Sequence, residues 1–192
     1  IYWAANGIIV HSRYIQDKLL KTFRVNQAKT AIVPHGNFDL YLPDKPISKE
    51  DAREKFGLSP QDNVLLFFGY IRPYKGLDVL IDAFGLAAAK DCNLKLIIAG
   101  APQNDTLAKG FNKQIAQLDT KDKVLFHAQF IPFAEVATYF SAADAVVLPY
   151  KNIDHSGIVH LAYSFGRPII ASPVGDFPEA IEDGKSGFIF RE

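Results

Sequence analysis

Short apolar runs alternate with longer amphipathic stretches along nearly the whole chain. Runs at 7–10, 30–33, 64–68, 94–99, 123–126, 145–148, 168–171 and 187–190 predict strands. Several, such as Val64-Leu65-Leu66-Phe67-Phe68, are continuously apolar rather than alternating, the pattern of parallel strands covered on both faces. Between them, Leu77, Leu80, Ile81, Phe84, Ala87 and Ala88 recur at helical spacing as one stripe. Phe133, Val136, Ala137 and Phe140 repeat that spacing behind Pro132, a residue suited to a helix start. This alternation predicts an α/β fold, a doubly wound Rossmann-like parallel sheet with ligands at the carboxyl ends of its strands. The stretch 39–62 differs, being rich in Pro, Lys, Asp and Ser. There Ser48 predicts an N-cap, with Asp51 in the capping-box position and a short surface helix closing at Gly57.

Composition narrows the functional classes. With 192 residues, 48% of them hydrophobic, the chain can bury one real core, as a single domain or a domain plus part of another. Lys+Arg and Asp+Glu both total 21, so no broad basic field exists to attract nucleic acid or an anionic membrane. Cys92 is the sole cysteine, which excludes an internal disulfide framework and fits a reducing, cytoplasmic setting. No apolar run is long enough for a transmembrane segment, and no signal-peptide pattern opens the chain. The chain begins Ile1-Tyr2-Trp3, lacks methionine, and stops at Phe190-Arg191-Glu192 directly after a predicted strand, so it reads as a fragment truncated at both ends.

Two loops carry candidate chemistry. The segment 69–76, Gly-Tyr-Ile-Arg-Pro-Tyr-Lys-Gly, joins a buried strand to an amphipathic helix. Gly69 permits a sharp exit from the strand, and Arg72 and Lys75 then stand beside a helix N-terminus that itself favours anions. Two cations and free amides suit a departing diphosphate, whose negative charge grows as its bond breaks. A solvated surface loop with an ordinary Arg and Lys accounts for the same residues equally well. The loop lacks G-x-G-x-x-G, and no P-loop pattern occurs, which disfavours dinucleotide oxidoreductase and P-loop chemistry.

The second loop, Asp154-His155-Ser156-Gly157, precedes a helical run from Ile158 to Phe165 that closes at Gly166. Ser156 is suited to N-capping and Gly166 to the residue past the helix end. Amides of Ser156, Gly157 and Ile158 at this start can bind a phosphate, and ordinary capping explains Ser156 without one. His155 and His160 stand five apart, poor spacing for two metal ligands on one helix face; His160 reads as a satisfied histidine, while His155 can reach a ligand from the loop.

The motifs FFGYIRPYKGLDVLIDAF, LKLIIAG, YFSAADAVVLPY, SFGRPIIASPVGDFPEAI and DGKSGFIF stand in the order seen in family 4 (group 1) glycosyltransferases. The chain resembles the C-terminal, nucleotide-sugar-binding domain of their two-domain GT-B fold from about residue 30 onward. Residues 1–29 resemble the end of the preceding acceptor domain and the crossover. The resemblance implies hexosyl transfer from a nucleotide diphosphate sugar, such as a UDP- or GDP-hexose, with retention and without a bound metal or other cofactor; a nucleotide-sugar epimerase of the same GT-B fold and a non-catalytic sugar-nucleotide-binding module are the alternatives. No Asp-x-Asp pair stands in the way of a metal-free reaction. It further implies an acceptor saccharide bound by the other domain and a cytoplasmic protein, at most peripheral to the membrane. A fragment holding one domain is then expected to be inactive alone.

By the same resemblance, Lys75 contacts the donor phosphates and the amides around Ser156 and Gly157 meet the diphosphate or sugar. Phe130 and Ile131 lie beside the base, Gly100 flanks the pocket, and Gly69 opens the first loop. The chain departs from the family pattern in two places. The arginine that usually follows the first glycine is Tyr70 here, and Arg72, two residues on in an extended segment, points the same way. Ile153 and Leu161 occupy the usual places of two glutamates; Leu161 cannot hydrogen-bond a ribose, and Asp154 is the nearest carboxylate left for sugar hydroxyls. Some members carry this Ser-Gly-x-x-x-Leu-Ala version, so loss of activity does not follow. Glu179 also matches a family position, although Asp176 and Pro178 read as the cap and first turn of a short helix. His35-Gly36 falls near the interdomain cleft of such folds, with a turn the expected role of Gly36.

Overall fold

The computed structural model describes residues 2–190; Ile1 and Arg191-Glu192, on which the reading of the chain ends partly rests, lie outside them. The chain builds two parallel sheets. The smaller pairs β1 (Ile8–Val10) with β2 (Thr30–Ile32) across helix α1 (Arg13–Phe23). Its own small core gathers Val10, Leu19 and Val25. The strand that starts at Thr30 therefore pairs with the segment preceding it, not with the larger sheet.

Helix α2 (Lys49–Glu54) leads into the main sheet, formed by β3 (Asn63–Phe68), β4 (Leu94–Ala99), β5 (Val124–His127), β6 (Ala145–Leu148), β7 (Ile169–Ala171) and β8 (Gly187–Ile189). Its order is β5-β4-β3-β6-β7-β8, parallel throughout. Helices α3 (Leu77–Ala88), α4 (Asp105–Ala116), α5 (Phe133–Ala142), α6 (Gly157–Ser164) and the short α7 (Phe177–Ala180) connect the strands. Every predicted strand is present, each boundary within a residue of the expected one. Helices cover both faces, which is why Leu66, Phe67, Leu96, Ile97 and Ile98 are all inaccessible.

Two helical positions depart from the predicted stripes. Ala87 faces solvent, because ten residues beyond Leu77 at about 100° each carry it past the edge of the buried face that Leu80, Ile81 and Phe84 define. Phe133 is exposed, standing at the mouth of a cavity rather than in the core. Helices α1 and α4 were not marked by pattern, since each buries only one or two side chains: Leu19, and Phe111 with Ile115. Their caps are their clearest signals: Ser12 accepts from the Ile15 amide, and Asn104 from that of Leu107. Ser48 caps α2 as predicted, accepting from the Asp51 amide at 3.0 Å.

One buried polar cluster locks α2 to the sheet. Arg53, 3% exposed, donates to the carbonyls of Ala142 and Pro60 and to Asp144 at 2.7 Å. Asp144 also accepts from Lys49 and from the Val64 amide that opens β3. Burial alone would raise the Asp144 carboxyl, but Lys49, the Val64 amide and Arg53 outweigh it and hold it below the ordinary range. Asp144→Ala is expected to cost about 3–5 kcal/mol in urea unfolding, because it strands a buried guanidinium. A depressed folded pKa stabilises above the unfolded pKa, so the Asp144 contribution is present at neutral pH and is lost as pH falls through the folded value. Acid titration should therefore narrow the gap between wild type and Asp144→Ala.

Candidate functional site

The reversal of strand order between β3 and β6 opens a crevice at their carboxyl ends, where open α/β sheets bind ligands. A cavity of about 550 Å³ fills it. The loop after β3 forms one side, with Gly69, Tyr70, Tyr74 and Lys75; the start of α6 forms the other, with His155, Ser156, Gly157 and Ile158. The two meet closely: a methyl group on Gly69 would stand 3.2 Å from Lys75 Nζ and 3.3 Å from Ile158 Cδ1. The two phosphate candidates, with Lys75 and Ser156 separated by 81 positions in the chain, thus face one another across a single glycine.

Lys75 is the electrostatic centre. Its side chain is 8% exposed, in none of the ion pairs among the described residues, with Nζ over the Tyr150 ring at 5.4 Å. Burial first, then the charge of Arg72, lower its pKa to about 8. A buried cation without a counter-ion is costly, and such groups cluster where a ligand supplies the missing charge. Opposite, the amides of Gly157 and Ile158 donate to no backbone carbonyl among the described residues. They open an eight-residue helix, whose positive dipole end faces the same space. Ser156 is buried at the N-cap position, but its hydroxyl makes no capping bond, contrary to the role its residue type suggests. Nearby, the phenol of Tyr150 is fully buried and pushed up by that burial, so it stays a neutral donor on the cavity wall.

The remaining wall is apolar. Phe130, 77% exposed, and Phe133 stand at the mouth, with Ile131, Phe38 and Tyr41 behind them and the tilted rings of Tyr41 and Phe133 4.5 Å apart between centres. Gly100 forms part of the floor where β4 ends; a side chain there would strike the Gly69 carbonyl at 2.0 Å. Ile153 and Leu161 both line the cavity and offer no hydrogen bond to it.

Two predicted residues fall outside the lining. Arg72 is exposed, its guanidinium 5.0 Å above the Tyr70 ring, so it touches the cavity only through its field on Lys75. Asp154 is held by Lys18 at 2.5 Å on the outer surface, because its neighbour His155 takes the inward direction. Asp176 does not cap α7; its carboxylate receives His155 Nδ1 at 2.6 Å instead. Glu179 does structural work: its two carboxylate oxygens accept the amides of Arg13 and Tyr14 at the start of α1, at 2.9 and 3.1 Å. His155 and His160, which spacing alone separates, come together with His35, since His155 belongs to the loop and not to the helix face.

Residues 48–192 match the sequence profile of the family described as Glycosyl transferases group 1. The chain is 32% identical over 196 residues to a D-inositol 3-phosphate glycosyltransferase of Streptomyces avermitilis, covering 98% of this chain and 41% of that protein. A protein of the same description from Mycobacterium marinum is 30% identical over 186 residues, covering 95% and 38%. The chain therefore spans about two fifths of the length of these relatives. Among solved structures, HepE of Anabaena in complex with UDP-glucose shares the fold with a TM-score of 0.82 at 20% identity, over 97% of this chain and 50% of that one. The C-terminal domain of LpcC, a glycosyl transferase group 1 family protein from Francisella tularensis, aligns with a TM-score of 0.68 at 18% identity, over 81% and 80%. No helix among the described residues is long and apolar enough to cross a membrane.

Proposed function

The chain belongs to the group 1 glycosyltransferases, and from that premise we propose that its crevice holds the diphosphate of a nucleotide-sugar donor for a retaining hexosyl transfer. The observation that carries this reading is Lys75, a buried, unpaired cation facing the free amides at the start of α6. As the sugar–phosphate bond breaks, charge accumulates on the leaving diphosphate, and both groups are already oriented to receive it. The clamp is built of protein groups and takes no metal or other cofactor. Lys75 and the amides of Gly157 and Ile158 grip the phosphates directly, with Ser156 and His155 alongside, and Arg72 contributes its field. Gly69 and Gly100 give the backbone close approach, while Phe130 and Ile131 flank the base. The sugar, from a UDP- or GDP-hexose, passes to an acceptor saccharide held by a second domain.

Leu161 favours a second reading, a sugar-nucleotide-binding module without transfer, because the wall beside it offers a ribose no hydrogen bond. Turnover by the full-length protein would reject that reading. Calorimetric titration of the chain with UDP, GDP and ADP tests the site itself. Binding of at least one is expected, unchanged by magnesium; no binding of any would overturn the proposal. The pH dependence has a defined sign. The anion requires protonated Lys75, whose free pKa is about 8, so affinity should be flat below that value. Above it affinity should fall by about tenfold per pH unit, with proton uptake on binding.

A further inference from the structure

At the edge of the cavity, which His155 helps to line, four imidazoles gather from three parts of the chain. His35 follows β2, His155 precedes α6, His160 lies within α6, and His11 follows β1. Ring centres of His35 and His155 stand 5.1 Å apart, those of His35 and His160 4.8 Å, and those of His155 and His160 5.4 Å. One ring nitrogen from each of these three lies within 4.8 Å of the others. We propose that His35, His155 and His160 form a binding site for a divalent transition-metal ion, with zinc the best match.

The spacing is that of ligands. Zinc bonds imidazole nitrogen at about 2.0–2.1 Å, so tetrahedral geometry sets ligand nitrogens about 3.4 Å apart and ring centres about 5 Å apart. The rings already stand at that separation, and small rotations bring the nitrogens in. The tautomers agree with it. Asp176 is buried, with its carboxylate 2.6 Å from His155 Nδ1; the neutral tautomer that donates from Nδ1 to that carboxylate carries its lone pair on Nε2, as a ligand must. That Nε2 is buried and has no hydrogen-bond partner. His35 repeats the arrangement, with Nδ1 2.6 Å from the Gly36 carbonyl, another pure acceptor, which leaves its Nε2 lone pair free. A carboxylate or carbonyl fixing one nitrogen so that the other can ligate is the usual second layer of a metal site.

Imidazoles with no oxygen ligand select zinc, copper or nickel over magnesium or calcium. Simple ring stacking, the alternative for such a cluster, leaves the buried Nε2 of His155 unsatisfied at a cost a ligand would remove. The ion would join the loop after β2 to the α6 loop, fixing the smaller sheet to the larger one at the rim of the cavity. His11, 5.5 Å from His35 and 5.4 Å from His155 between ring centres, stands where the fourth ligand position can open.

Untagged protein without nucleotide should be titrated with zinc against a chromophoric chelator, and with cobalt(II) followed by visible absorption. One equivalent is expected, with the intense visible bands of four-coordinate cobalt and no competition from magnesium. His35→Gln and His160→Gln should each weaken zinc by at least about 100-fold, and Asp176→Asn by roughly 10- to 100-fold through its hold on His155. His127→Gln, a histidine bonded to Tyr139 elsewhere in the fold, should leave affinity unchanged. Circular dichroism identifies any variant that fails to fold; either His35→Gln or His160→Gln suffices. Absence of saturable zinc binding, or binding indifferent to both substitutions, would overturn the proposal. Because zinc is titrated without nucleotide, the result does not depend on whether UDP binds.

Discussion

Replacing Lys75 with Met is expected to weaken nucleotide binding about 100-fold while making the unliganded protein more stable. Both effects come from one fact: a cation buried with no counter-ion among the described ion pairs. Lowering its pKa from 10.5 to about 8 corresponds to roughly 3 kcal/mol held against the charged form near neutral pH, at about 1.4 kcal/mol per unit. Methionine fills similar space without charge, so thermal unfolding should show a gain of about 1–3 kcal/mol. Losing a charge-assisted bond to a desolvated phosphate should weaken UDP by about 100-fold. A structural lysine would behave oppositely, its loss lowering stability and sparing affinity. That outcome in paired melting and calorimetry would remove Lys75 from the site.

Gly76→Ala should be among the most damaging single substitutions in the chain. Gly76 has φ of 67°, in the left-handed region, at the junction of the Lys75 turn and α3. A methyl group there would lie 1.9 Å from the Pro149 carbonyl oxygen and 3.0 Å from its carbon. These are backbone atoms, so no rotamer change relieves the contact. The loop or the exit of β6 must move, at an expected cost of about 3 kcal/mol or more. Gly166→Ala is the internal comparison, with φ of 62° and nothing within 4 Å. It carries the conformational cost without the collision, about 1 kcal/mol. Similar unfolding midpoints for the two variants would contradict the steric account.

The strands were legible because burial on both faces writes itself as uninterrupted apolar runs; Val64 to Phe68 and Leu96 to Ala99 could hardly be read otherwise. Lys75 and the start of α6 were legible because each combines a strand exit with a helix start, and the sheet order then set them side by side. What escaped the sequence depends on contacts between distant residues. Glu179 caps a helix more than 160 positions earlier, and no local pattern announces such a partner. Asp176 and Ser156 have good capping chemistry, yet a histidine claims one and the other makes no capping bond. Arg72 follows the two-residue periodicity of an extended segment, but the Tyr70 ring holds its guanidinium outside the cavity. The histidine cluster draws on positions more than a hundred residues apart, so spacing within one helix could not reveal it.

The strand order has a consequence for how the chain acquires its pocket. β3, β4 and β5 follow one another in sequence and in space, so this half of the sheet can assemble as it leaves the ribosome. β6 must instead cross back to the free side of β3, and only then does α6 close the cavity. The half-made domain has Lys75 in place but no opposing helix start. On the function proposed, a nucleotide would meet its full grip only on the finished molecule, where it is expected to act chiefly by slowing unfolding rather than by hastening assembly.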